Sequence, residues 1–532
     1  MNIAILHCHF LRGGVTQVVE NQVASVADDS DTQFFLISGG RNDGLNDQTR
    51  QRVGEVVISQ LDYDDIHGAT ADLQCSIQSL AAAIAASLQS RGLGPTDTIL
   101  HWHNPTLGKN IAIPGAILSL AERHGYRQLL QIHDYAEDHR PENYLRMATG
   151  LAASLPDQPL TPTAVAGYCY PDAPSIHYAT LTTSDAEILR RLSIDESRIV
   201  VIPNCVSLGD ASQLPDREES TKKIRQAFGL GSDSRWIVYP VRGIRRKNVG
   251  EFLLLSQLLG EPFSLGITLP PTTPIEKESY DRWKSVGNEY ARRAIFDAGT
   301  KEGIQFLDNL VACEFVLSTS VAEGFGMAFL EPWLVGRGVI ARRLPNVVDD
   351  FVAAGVRLDR FYRSIMIPGS VEWINAQRRD YSDCLASAWS SLDAALGSDF
   401  CVDSGAVLGS DGGRCDFGKL SPKSQIDVIR RCGSDDGFLQ EIRSLNANLL
   451  GAFQEPFDGT DIVSNQAKIR ETYSLAATAE ILRHCYTKIL ASDTTMPKQR
   501  IQPDSSPLPV LQRSRDFYPC RTEQTIAKCI LG

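Results

Sequence analysis

The chain has 532 residues, 43% of them hydrophobic and 22% charged, a composition ordinary for a folded globular protein that sets general disorder aside. At roughly 150 residues per domain, that length suggests two or three domains with large cores. The net charge of -12 argues against nonspecific nucleic-acid binding, so no nucleic-acid partner is expected.

The first residues, NIAILHC (2–8), read as a buried strand rather than a secretory leader. Gly13 and Gly14 follow, and then Val15, Val18, Val19, Gln22, Val23 and Val26 recur at helical spacing. Strand, glycine loop and helix form the opening unit of a doubly wound sheet. Further strands are expected over 32–38, 53–59, 96–104, 127–135 and 197–204, with a helix around 70–91. The strands over 96–104 and 127–135 both run out into histidine, His101 and His103 in one and His133 in the other. His101 and His103 are read as facing different ways, one of them a packed core or edge histidine. The loop after His133 is polar, and Asp134, Asp138 and Arg140 are candidates for an acceptor. For Glu137 to Arg140, a solvated loop is the equally weighted reading.

A second alternating series begins near residue 235. RWIVYPV (235–241) is a strand ending in a basic cluster of Arg242, Arg245, Arg246 and Lys247, and 249–259 is its helix. Another strand covers 262–270, and a polar helix is expected over 276–297. CEFVLST (313–319) and RGVIARR (337–343) are the next strands. Between them lies EGFGMAFLE (323–331), with a helix expected to start near Gly326 and Glu331 more than a turn inside it. Beyond 355 the pattern weakens, and 404–418 reads as a glycine-rich loop. A single long helix is expected over 465–490, then a proline-containing tail from 493.

The fold class expected is α/β, with two Rossmann-like halves and ligand sites at the carboxyl ends of strands. Guanidinium and ammonium groups at Arg242 and Lys247 suit a diphosphate. Gly324 and Gly326 let backbone amides approach a ligand around Phe325. Glu323 and Glu331 repel phosphate, so they suit neutral hydroxyls. Each feature alone has an ordinary reading as a solvated loop or a helix-end acid.

Together these features resemble the retaining GT-B glycosyltransferases, the group that includes sucrose-phosphate synthase, bacterial glycogen synthase and many mannosyltransferases. Its E-x7-E motif is matched by Glu323 and Glu331, and its arginine and lysine by Arg242 and Lys247. The glycine pair is matched by Gly13 and Gly14, and the histidine ending an N-domain strand by His133. The resemblance covers most of 1–355 plus 465–490. It implies two Rossmann-like domains facing a cleft, 1–205 on the acceptor side and 206–464 on the donor side, the latter with an added segment near 355–464. A helix over 465–492 would cross back to the first domain, and 493–532 would be a tail.

The roles implied are specific. Arg242 and Lys247 would neutralise the donor diphosphate, Glu331 would hold the ribose, and Glu323 with the amides of Gly324, Phe325 and Gly326 would hold the transferred sugar. Gly13 and Gly14 would give the acceptor and phosphate room, and His133 would face the sugar. A hexosyl group would pass from a nucleotide sugar to an acceptor hydroxyl with retention, without a metal or other cofactor. UDP, GDP and ADP all stay open as the donor's nucleotide. The acceptor is expected to be a small polar molecule or a saccharide. Departures from the pattern are Asn248 where a glycine is usual, Pro332 and Trp333 where small residues are usual, and the length of 355–464.

Competing readings are an inactive nucleotide-sugar-binding regulator and a GT-B-like sugar-nucleotide epimerase. A phosphorylase would need a pyridoxal-phosphate lysine, for which no position stands out. A dinucleotide oxidoreductase is disfavoured because HCHFLRGGVTQ lacks G-x-G-x-x-G. DYDD (62–65) is read as an acidic surface turn rather than a metal site. Twelve cysteines without C-x-x-C or zinc spacing, and no apolar run near about 18 residues, point to a cytoplasmic protein without a membrane span. Peripheral membrane contact and oligomeric state stay open.

Overall fold

The apolar runs near the N-terminus become seven strands of one parallel sheet: β1 (Asn2–Leu6), β2 (Gln33–Ser38), β3 (Val53–Val57), β4 (Thr98–His103), β5 (Arg127–Ile132), β6 (Ile176–Thr180) and β7 (Ile199–Val201). The order is β3-β2-β1-β4-β5-β6-β7. β1 and β4 are buried along nearly their whole length, as a sheet covered by helices on both faces requires. The computed structural model describes residues 1–26, 31–67, 72–155, 160–208, 214–396 (391–396 as backbone), 413–492, 506 and 517–522.

The second sheet has β8 (Arg235–Arg242), β9 (Phe263–Leu269), β10 (Ala294–Ile295), β11 (Phe315–Ser318), β12 (Gly338–Arg342) and β13 (Phe361–Tyr362), in the order β10-β9-β8-β11-β12-β13. It too is parallel throughout. A short antiparallel pair, β14 (Met366–Pro368) with β15 (Arg414–Asp416), stands apart from both sheets. In each sheet the winding direction reverses once, between β1 and β4 and between β8 and β11. Loops leaving the carboxyl ends of those two strands diverge and leave a crevice, where such sheets bind ligands.

The chain divides into two compact units, one of 1–205, 389–400 and 473–512, the other of 206–388, 401–472 and 513–532. The first core joins Ile3, Ile5, Val19, Val23, Ile99 and Leu129 to Leu482, Tyr486 and Ile489 from far along the chain. The second joins Ile237, Phe252, Leu265, Phe315 and Ile340 to Ile374, Tyr381, Ile429, Ile442 and Phe517. Inside that second core, Arg342 is fully buried and donates to both Glu251 (3.0 and 2.5 Å) and Asp416 (2.9 and 2.9 Å). Tyr362 adds a 2.7 Å bond to Glu251, so the buried charges are hydrogen-bonded as well as paired.

Several expected elements differ. The helix expected over 276–297 is Pro274–Tyr290, because Ala294–Ile295 leave it to pair with Leu265 and Gly266 at the sheet edge. The helix expected over 465–490 is two, Gly459–Thr472 and Leu475–Ala491. Ser474 breaks them by accepting a bond from the Ala477 amide, an ordinary N-cap. The segment near 355–464 holds the helices Val371–Leu396, Pro422–Ser434, Asp436–Leu445 and Ala447–Ala452. Of the glycine-rich stretch 404–418, residues 404–412 lie outside the described residues, and Arg414–Asp416 is strand rather than loop. Most of the expected tail, 493–532, also lies outside them, but Phe517 and Cys520 are buried. No helix among the described residues is long and apolar enough to cross a membrane.

Candidate active site

The winding reversal of the second sheet brings two sequence-distant loops together. β8 delivers Arg242, a close glycine, Gly243, and the single turn Arg245–Lys247. A side chain at 243 would put its Cβ 2.2 Å from the Tyr280 ring. β11 delivers Thr319, Ser320 and Glu323. The loops are stitched by backbone: the Val321 amide donates to the Arg246 carbonyl (3.0 Å), and the Thr319 hydroxyl donates to the Lys247 carbonyl (2.9 Å).

On this frame Lys247 forms a buried ion pair with Glu323. Ser320 donates to the same carboxylate oxygen (2.6 Å), and Arg246 stands 3.4 Å from the other. Tyr239 shares a 2.6 Å bond with Ser320, anchoring that hydroxyl from β8. Burial works against charge on both members of the pair. Two neighbouring cations outweigh it at Glu323 and hold its carboxyl below the usual range. For Lys247, burial dominates and Arg246 adds repulsion, so the ammonium is brought down to about 8.

The basic cluster therefore divides. Arg245 is taken up by Glu276, which accepts from its backbone amide (2.8 Å) and its side chain (3.0 Å). Arg242 is half-buried, donates weakly to Thr272 (3.4 Å) and has no carboxylate partner among the described residues. Asn248, at the usual glycine position, sits at φ 50°. Asparagine is among the few residues that adopt the left-handed region readily, so the turn survives the substitution.

After Glu323, Gly324 is half-buried and Phe325 turns its ring inward, edge-on to Phe351 at 5.3 Å. Gly326 has φ 86°, and a Cβ there would lie 2.7 Å from Phe329. The helix expected from Gly326 is instead a single tight turn, Met327–Phe329, and a separate short helix opens at Glu331. Pro332 explains this, because proline is tolerated in a first turn and not within a helix. Glu331 thus begins its helix rather than lying inside it. Its carboxyl has no hydrogen-bond partner among the described residues, and burial lifts it to about 7.

In the first unit the reversal lies between β1 and β4. Gly13 caps the helix Gly14–Ser25 in extended conformation, and both glycines are exposed. His7 Nδ1 donates to the His103 carbonyl (2.7 Å), and the His103 ring meets His133 at 2.9 Å. His101 bonds Gln131 (3.0 Å) and Tyr486 (2.9 Å). The rings of His101 and His103 are 4.5 Å apart on one face, which corrects the expectation that they diverge: residues two apart on a strand point the same way. Burial holds His7 and His101 down to about 3 and His133 to about 4, so this row is neutral imidazole.

The loop after His133 is not solvated. Glu137 is 1% exposed, accepts from Tyr170 (2.9 Å) and is pushed up to about 7 by burial. Arg140 is spent on Asp134 (2.6 Å), while Asp138 is half-buried. DYDD is a surface feature only in part: Asp62 is 2% exposed and paired with Arg41, while Asp65 is exposed in the short helix Asp64–His67. Ser320, Tyr239, His7 and Gln131 are site neighbours that sequence reading passed over, while Arg246 was seen only as part of the basic cluster. His7 shared a signal with His133, a histidine at a strand's carboxyl end.

Two parallel sheets of this kind, each with one winding reversal, define the GT-B architecture, and the chain has that fold. No family model matches the chain. It is 26% identical over 388 residues to the mannosylglucosyl-3-phosphoglycerate synthase of Petrotoga mobilis, covering 72% of each chain. Among solved structures it is similar to a glycosyltransferase from Rickettsia africae (13% identity, TM-score 0.52, 92% of this chain and 99% of that one). It is also similar to Anabaena HepE in complex with UDP and glucose (12% identity, TM-score 0.51, 92% and 99%).

Proposed function

We propose that the protein is a glycosyltransferase that moves a sugar from a nucleoside-diphosphate sugar to the hydroxyl of a small soluble acceptor, with retention of anomeric configuration. The observation that carries this is the buried Lys247–Glu323 pair at the winding reversal, with Arg246 beside it and Arg242, which has no carboxylate partner among the described residues, at the end of β8. A diphosphate is the dianionic group that such cations suit, and its arrival would displace Glu323 from Lys247 toward the sugar's hydroxyls. Glu331, without a hydrogen-bond partner among the described residues, is assigned to accept from ribose hydroxyls.

In the proposed reaction the bond from the anomeric carbon to the diphosphate oxygen breaks. A bond to the acceptor oxygen forms on the same face, and the acceptor's proton passes to the departing phosphate. Arg242 and Lys247 stabilise the charge that develops there. His133, a neutral imidazole oriented by His103, is assigned a hydrogen bond to the transferred sugar. The relative from Petrotoga mobilis is named for a product containing 3-phosphoglycerate. That name, and the exposed helix start at Gly13 and Gly14, support a phosphorylated acceptor.

A thermal-shift panel of UDP, GDP and ADP tests the donor site. The right nucleotide at about 100 times its dissociation constant stabilises by about 2.7 kcal/mol. A flat response to all three contradicts the proposal. Product analysis with the responding nucleotide's sugars then tests transfer and retention.

A further inference from the structure

The second unit has a cavity of about 480 Å³ that none of the chemistry above uses. It lies under the amino ends of β8, β11 and β12, where Arg235, Glu314 and Gly338 line it. β8 runs from Arg235 to Arg242, so at 3.3 Å per residue the cavity is roughly 20 Å from the Lys247 end of the sheet. One wall is the face of the helix Arg217–Phe228 that carries Arg217, Thr221, Ile224 and Arg225.

Its charge is unbalanced. Arg235 is neutralised by Glu314 through a two-pronged pair. Arg217 and Arg225 have no carboxylate partner among the described residues. Arg337 gives its guanidinium to carbonyls only, those of Val311 (3.1 and 2.9 Å) and Gly336 (3.2 Å). Burial and the nearby Arg217 both disfavour the Arg337 charge. Asp233 is the remaining acid of the lining. Arg217 occupies a helix's first turn, where the dipole disfavours a cation, so helix stability does not account for it.

Apart from Thr221 and Ser234, the rest of the lining is apolar. Trp236 is 5% exposed and stacks on Phe228 at 5.5 Å and 15°. Its indole Nε1 is buried without a hydrogen-bond partner. Phe457 is held from behind by the Arg360 guanidinium, 4.0 Å from its ring centre. The buried Trp236 donor left unsatisfied is costly without a ligand, and the part-buried Arg337 has no carboxylate partner among the described residues, while Arg217 is exposed and Arg225 half-buried, open to an incoming anion.

We propose that this cavity binds a small organic phosphate, with the anion on Arg217, Arg225 and Arg337 and an apolar or aromatic body against Trp236 and Phe457. The site is separate from the nucleotide site and so binds without competing with it.

The test is calorimetric titration of the full chain with phenyl phosphate, and with inorganic phosphate as the anion-only arm. Phenyl phosphate binds with a dissociation constant below about 1 mM, and inorganic phosphate binds at least about tenfold more weakly. The variant Arg217→Gln/Arg225→Gln weakens phenyl phosphate by at least about tenfold, since bonds to charged groups are worth that much or more. Both residues lie on a helix surface, and an unchanged melting temperature without ligand confirms that the variant folds. Binding that survives the double substitution, binding displaced by UDP, GDP or ADP, or no saturable binding to about 10 mM each overturns the proposal. None of these readouts requires turnover, so the outcome is independent of the transferase reading.

Discussion

The two winding reversals occupy the same topological position in the two sheets and are furnished with opposite chemistry. Between β1 and β4 lie His7 and His103, linked to His133, all kept neutral by burial. Between β8 and β11 lie Lys247 and Glu323, paired with Arg246 beside them. One crevice offers donors and acceptors without net charge, and the other offers fixed charge. A shared fold therefore places a crevice at the same point of each sheet, and the side chains at the strand ends set the chemistry a ligand would meet there.

Breaking the charged unit has the largest expected effect. Arg342→Ala leaves Glu251 and Asp416 buried without their cation and costs about 3–5 kcal/mol of stability, read by urea unfolding. A loss below about 1 kcal/mol would mean that charge is not what holds this side together. The neutral unit is broken by acid instead. His7, His101 and His133 have folded values of about 3, 3 and 4 against an ordinary 6.5. Their contribution is fully present above pH 6.5 and is lost as pH falls through 4 to 3. His101→Gln reduces the stability difference between about pH 7 and pH 4 by on the order of 2–4 kcal/mol. An unchanged difference would show that His101 does not stay neutral.

Function sharpens the same contrast. Lys247→Ala lowers turnover by at least ~10²-fold, the loss expected for one preorganised contact to the leaving group. Near-normal turnover removes Lys247 from that role. The wild-type kcat/KM profile rises as Glu331 ionises through about 7 and falls as Lys247 loses its proton through about 8. Lys247→Arg moves the falling limb well to higher pH. The smallest effect is that of Glu331→Ala, which raises the donor's KM about tenfold with less change in kcat, as for contacts made equally in ground and transition states. A defect confined to kcat would contradict a ribose contact.

Most strands of both sheets were legible as apolar runs, but β6, β10 and β13 were not expected, β6 although it is fully buried and the other two because they are only two residues long. Lys247 and Glu323 were legible individually, each just past such a run. Their direct pairing was not, because it depends on β8 and β11 lying side by side, a non-local fact. Glu331's place at a helix start was readable from Pro332 and was missed. The helix Val371–Leu396 escaped notice because its buried face mixes Ile374 and Leu385 with Tyr381, Cys384, Ala388 and Trp389 instead of repeating aliphatic residues. Ser421 before Pro422 was a readable helix start. Glu137 looked solvated because nothing local announces Tyr170 above it.

The way the chain is threaded has a consequence during synthesis. The first core closes on Leu482 and Tyr486, and the second on Phe517. The first is not complete until Ile489 has been made, nor the second until Phe517, so the N-terminal sheet emerges long before the helix Leu475–Ala491 exists. This protein cannot follow the usual domain-by-domain order of folding. A chain stopped short of Leu475 would leave both cores open at once.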